Sequence, residues 1–154
     1  MGKSRDTIEK LTANLKTFVG DNKVIYEQYK ELPNDLEPRQ ITQKARIALY
    51  FESEDSITKK GAEKPADSRQ RFGIDISTVR GYRGDDAQFA ENLALDLKDK
   101  VIDWVKAVDP WVVTDGAIHS FGYDGATGFT RLKRYTTVTL RCSGQKDLLI
   151  QQST

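Results

Sequence analysis

The stretch that decides the fold is "ARIALYFES", residues 45–53, taken together with "RFGIDISTVRGY", residues 71–82. In the first, Ile47, Leu49 and Phe51 alternate with Ala48 and Tyr50. A period of two puts one set of side chains on a core face of a strand and the other set on the opposite face. In the second, Phe72, Ile74 and Ile76 alternate in the same way with Gly73, Asp75 and Ser77. No helical pattern separates the two runs, so they predict an antiparallel pair; parallel pairing would need a crossover between them.

Between the two runs lies "ESEDSITKKGAEKPADSRQR", residues 52–71, which is polar almost throughout and reads as a long hairpin loop. Connections beyond about 12 to 15 residues are uncommon in compact domains and are usually functional or disordered. This one opens acidic at Glu54 and Asp55, turns basic at Lys59, Lys60 and Lys64, and ends basic at Arg69 and Arg71, with the single apolar Ile57. Two readings stay open: a segment without structure in the isolated chain, or one ordered against a partner, another copy of the chain included. On the second reading these eight residues are the candidate contacts.

Helical patterns flank the predicted hairpin. Ile8, Leu11, Leu15, Phe18 and Val19 recur at helical spacing, with Asp6 and Glu9 in capping-box layout and Gly20 as the stop. Residues 23–40, with two prolines in a polar background, read as a connection. In "DDAQFAENLALDLKDKVIDWVKAVDP", residues 85–110, Phe89, Leu93, Leu97, Val101, Val105 and Val108 form a stripe. Ala90, Ala94, Ile102 and Trp104 widen it, and Pro110 marks its end. "AIHSFGY" (117–123) and "FTRLKRYTTVTLRC" (129–142) read as two more strands around the hairpin-length "DGATG".

The predicted order is therefore α-β-β-α-β-β, an α+β fold with an antiparallel sheet of four or more strands covered by two helices. At 154 residues the chain is expected to form one domain, 1–154, ending in a flexible tail at about 143–154.

Composition narrows the function classes. With 24 Lys and Arg against 23 Asp and Glu the formal charge is +1, so an affinity for nucleic acid or an anionic membrane would have to be local. One histidine, His119, and one cysteine, Cys142, give neither an internal disulfide nor a zinc ligand cluster. Both read as structural strand residues. No segment approaches the run of roughly 18 apolar residues of a membrane helix, and the N-terminus lacks a signal-peptide core, so a cytosolic chain without cofactor is expected.

Asp96, Asp99 and Asp103, with Lys98 and Lys100, could suggest a metal-dependent nuclease. Helical spacing instead places them on a solvated face supported by i,i+4 pairs. "GYRGDD" offers a glycine before a helix, but its two aspartates repel a phosphate, and a turn explains it better. Basic residues cluster in "RLKRYTTVTLR", where odd parity puts Arg131, Lys133 and Arg141 on one face with Tyr135. Such a face could bind single-stranded nucleic acid or contact an acidic neighbour. No enzymatic activity is expected.

In the order of its elements, and in "RIALYFES", "RFGIDISTVRGY", "DDAQFAENLALDLKDKVIDWV" and "FTRLKRYTTVTLRC", the sequence resembles the tail-terminator proteins of long-tailed bacteriophages. The resemblance spans most of residues 41–142. It implies a structural virion protein: a homohexameric ring that caps the tail tube, stops its polymerisation and joins the tail to a head-completion or connector protein. DNA would then be only passing cargo. Another neck or minor tail protein is the neighbouring alternative, and a small nucleic-acid-binding α+β module is the alternative of a different class.

Overall fold

A computed structural model describes residues 3–29, 44–57, 67–79, 87–132 and 135–147. In chain order the elements are α1 (Lys3–Val19), β1 (Val24–Glu27), β2 (Ala45–Ile57), β3 (Asp67–Val79), α2 (Ala87–Ala107), α3 (Pro110–Val113), β4 (Ser120–Ala126), β5 (Thr130–Leu132) and β6 (Tyr135–Asp147). Five strands lie in the order β1-β2-β3-β6-β4, and short β5 pairs with β6 as well. Every pairing is antiparallel except that of β1 with β2.

The α+β class and the β2–β3 pairing agree with the sequence reading, while the element order is longer than α-β-β-α-β-β. Two strands and a helix account for the difference. "VIYE" in the polar 23–40 stretch forms β1, held parallel to β2 by the Val24–Ala45 to Glu27–Ala48 register. Pro110, read as a stop, opens the four-residue α3, with Asp109 as its N-cap accepting from the Val112 amide. The run read as one strand over 129–142 is two, β5 and β6, paired to each other with Leu132 opposite Tyr135. Ala117–His119 precede β4, and His119 is exposed outside any strand.

Alternation works as expected where hydrophobic residues carry it. Ile47 and Leu49, Phe72, Ile74 and Ile76, and Val138, Leu140 and Cys142 all face one core with α1 and α2. Ile8, Leu11, Leu15 and Val19 seat α1 there, whereas Phe18 is 45% exposed. Asp6 lies inside the first turn rather than at the cap, since the helix already runs from Lys3. In α2 the buried set is Ala90, Ala94, Leu97, Val101, Trp104 and Val105. The helix is thus rotated toward its small residues, which lets its backbone approach the sheet, and Phe89 is left 40% exposed.

Polar ties fix these layers. Trp104 Nε1 donates to Asn14 Oδ1 at 2.8 Å, joining the two helices, and Thr78 Oγ1 donates to the Ala90 carbonyl at 2.8 Å, joining β3 to α2. The rings of Phe51, Phe72, Phe121 and Trp104 form an edge-to-face series with centroids 5.7 to 6.1 Å apart.

The expected loop over 52–71 is mostly strand. β2 and β3 remain in register out to Ile57 opposite Asp67, after a bulge between Phe51 and Ser53. Only 58–66 of that stretch lies outside the described residues. The expected tail at 143–154 likewise begins as strand, because β6 continues beside β3 to Asp147; residues beyond 147 lie outside the described set.

Candidate functional site

The site follows from strand length. Thirteen residues extend about 44 Å at roughly 3.4 Å each, while the 21 residues of α2 span about 32 Å at 1.5 Å each. The sheet therefore outruns the helix lying on it. Among the described residues, the apolar side chains of the core come from β2 up to Leu49, from β3 from Phe72 on and from β6 up to Cys142, while farther out the inward face is polar or glycine, with Ser68 and Gln70 buried and Gly144 against Ile118. Beyond the row Phe51–Phe72–Cys142 the strands continue as an arm, Ser53–Ile57, Asp67–Arg71 and Ser143–Asp147.

Registers assign the arm's charges to faces. Arg69 lies opposite Asp55 and Gln145, and Arg71 opposite Ser53 and Ser143. These positions share the parity of Gly73 and Asp75, so they face away from the helices. The same face receives Ser120 and Gly122 from β4, through their pairing with Gln145 and Ser143. Together Arg69, Arg71, Ser120, Asp124, Ser143 and Gln145 line an open cleft of about 480 Å³. Arg71 Nε meets Asp55 Oδ2 at 3.3 Å with both side chains about half exposed. Arg69 has no carboxylate within ion-pair reach among the described residues.

Glu54 has the other parity, opposite Gln70, and accepts a short hydrogen bond from Ser68 Oγ. Ile57 closes β2 opposite Asp67. Lys59, Lys60, Lys64 and Lys133 lie outside the described residues. Arg141 is exposed opposite Gly73, one row inward from the cleft, on its face. Arg131 does not share that register. It pairs with Thr136, whose parity is that of Val138, because 131 and 141 belong to two different strands, β5 and β6, and the alternation does not run through.

Behind the cleft this face carries a polar lock. Tyr50 Oη donates to Asp75 Oδ1 at 3.0 Å and Thr139 Oγ1 donates to the same oxygen at 2.6 Å. Burial, reinforced by the neighbouring Asp75 charge, raises the Tyr50 hydroxyl well above the ordinary tyrosine range and keeps it a donor. A Cβ on Gly73 would stand 2.4 Å from the Tyr50 ring, so the glycine is what admits this packing. On the core side, burial followed by the Asp124 charge pushes the Cys142 thiol up to about 12, which makes it inert. Among the described residues no three metal-ligating side chains gather.

Sequence reasoning found Asp55, Arg69, Arg71 and Arg141 from their charge. It missed Ser120, Gly122, Ser143 and Gln145, small neutral residues that only register brings together.

No family model matches the sequence, and no curated protein matches it. Among solved structures, one whose name states no function covers 94% of this chain and 97% of its own at 15% identity, with a TM-score of 0.48. Such a likeness carries no functional argument.

Proposed function

We propose that this chain is a structural, non-catalytic ring protein of a phage tail, acting as a tail terminator. Its copies close a ring, expected to be a hexamer, that caps the tail tube, stops its growth and receives a head-completion or connector protein, while DNA passes through the channel. The chain would work in the virion's tail or neck after assembly in the host cytoplasm.

The observation that supports this reading best is the outward face of the arm. Its inner face is covered within the chain, by Ile118 against Gly144 and with Ser68 and Gln70 buried, but its outer face carries Arg69 and the half-exposed Arg71–Asp55 pair, and such an extension costs backbone entropy to order. Such an extension makes sense when a neighbour covers it. The arm's two faces differ, and a heterologous contact, in which one patch meets a different patch on the next copy, is what closes a ring. The test is native mass measurement and electron microscopy of the chain, alone and with tube protein. Rings in either condition support the reading; a monomer at high concentration in both contradicts it.

A further inference from the structure

We infer that the arginine cleft on the outer sheet face receives the outward face of α2 from a second copy of the chain. This inference rests on the ring-forming role proposed for the chain, and it names the two patches that would meet.

The cleft side presents cations in consecutive outward-facing rows. Arg69, Arg71 and Arg141 occupy the rows of Arg69, Arg71 and Gly73 on β3, with Arg141 displaced by one strand onto β6. Alternate residues on a strand are about 7 Å apart, so the three guanidinium groups start from positions spaced about 7 Å apart along the sheet. Asp55 holds Arg71 and the Asp124 carboxylate also lines the cleft, but Arg69 and Arg141 have no carboxylate in ion-pair reach among the described residues.

The helix side presents three anions at somewhat closer spacing, with the exposed Lys100 among them. Asp96, Asp99 and Asp103 are all exposed on α2, opposite its buried stripe of Ala94, Leu97, Val101 and Val105. Their axial separations are about 4.5 and 6 Å at 1.5 Å per residue, a mismatch that arginine side chains can span. Asp99 has only Lys98 at 3.9 Å, and Asp96 and Asp103 have no cation in reach among the described residues. Exposed Leu95, on the same face at 38% exposure, gives the stripe an apolar contact besides its charges. The helices cover one side of the sheet and the cleft opens on the other. Each copy therefore offers a donor patch and an acceptor patch on opposite sides, the arrangement from which a heterologous chain of contacts is built.

The experiment uses charge reversal on the full chain. Arg69→Glu/Arg141→Glu and Asp96→Lys/Asp103→Lys variants alter exposed or half-exposed side chains, and circular dichroism melting confirms that each is folded. Each variant alone should raise the concentration for half-assembly at least about tenfold, since like charges then face each other. The neutral Arg69→Gln/Arg141→Gln variant should show a smaller loss in the same direction. Mixed one to one, the two reversed variants should assemble again, because each one's altered patch meets the other's altered patch.

Rings that form equally well from all variants would overturn this placement and leave the ring role standing. So would variants that keep their rings and lose only tube-protein binding, which would give the cleft a different occupant. A wild-type chain that stays monomeric with and without tube protein would overturn both.

Discussion

Arg71 reaches Asp55 at 3.3 Å across the β2–β3 ladder, diagonal to the Asp55–Arg69 and Ser53–Arg71 registers, and the pair stands beyond the last row of the hydrophobic core. With both side chains half exposed, water and salt screen it, and exposed ion pairs are worth about 0 to 1 kcal/mol. Asp55→Ala should therefore change the urea midpoint of the monomer by less than about 1 kcal/mol-equivalent while leaving Arg71 free to pair elsewhere. A loss of several kcal/mol would mean that the arm belongs to the folding core.

Shortening the arm should separate folding from assembly. Replacing residues 56–68, the end of the ladder from the Ser56–Ser68 pair outward, by a two-residue turn removes, among the described residues, no member of the hydrophobic core. The variant should melt cooperatively near the parent temperature and assemble more weakly. Unaltered ring formation would show that the arm contacts nothing.

Gly73→Ala places a methyl 2.4 Å from the Tyr50 ring carbon, within a buried sheet face. Overpacking of this kind costs about 1 to 3 kcal/mol. Tyr50→Ala also removes one donor from Asp75. The double variant should be more stable than the sum of the two single losses predicts, because the clash disappears with the ring. Additive losses in denaturant titrations would place the cost elsewhere.

Trp104 packs its ring against Phe121 and spends its one donor on Asn14. Trp104→Ala should cost about 3 to 5 kcal/mol through loss of buried ring and cavity formation. Asn14→Ala, which strands only the indole N–H, should cost about 1 to 3 kcal/mol. Chemical denaturation of both variants checks the order, and equal losses would contradict the packing account.

Alkali should weaken the fold through the buried Tyr26, Tyr50 and Cys142, all raised above their ordinary values, and Tyr26 and Cys142 set the window. Tyr26 is raised to about 12, chiefly by burial and then by the Asp21 charge, and Cys142 is likewise raised to about 12 from an ordinary value of 9.0. Both are neutral when protonated and more easily ionised in the unfolded chain. Their contribution is therefore complete below pH about 9 and is lost as pH rises through about 12. Native Cys142 should resist thiol reagents at pH 8 and react at the free-thiol rate in denaturant; rapid labelling of the folded chain would contradict its burial.

How much of this was legible in the sequence depends on where hydrophobic residues sit. Phe72, Ile74 and Ile76 announced β3, and Leu97, Val101 and Val105 announced α2, because those side chains face the core that selects them. "ESEDSI" and "DSRQR" give no strand signal because the inward positions there are polar, Ser68 and Gln70, although both are buried; backbone pairing continues and leaves no hydrophobic period. "VIYE" is only one residue pair on each face, too short for periodicity to register. Parity counted straight from 131 to 141 puts Arg131 and Arg141 on one face, but Arg131 pairs with Thr136 across two strands, β5 and β6, so the count does not carry through. For the cleft, charge revealed Asp55, Arg69 and Arg71, but Ser120, Ser143 and Gln145 became part of it only through the β4–β6 and β3–β6 registers.

The central claim, that this chain is built to be covered by copies of itself, is tested most directly by its native mass at high concentration, with and without tube protein. The account predicts a closed particle of about six times the 17.4 kDa chain mass, seen as rings by electron microscopy. A persistent 17.4 kDa monomer in both conditions would contradict it.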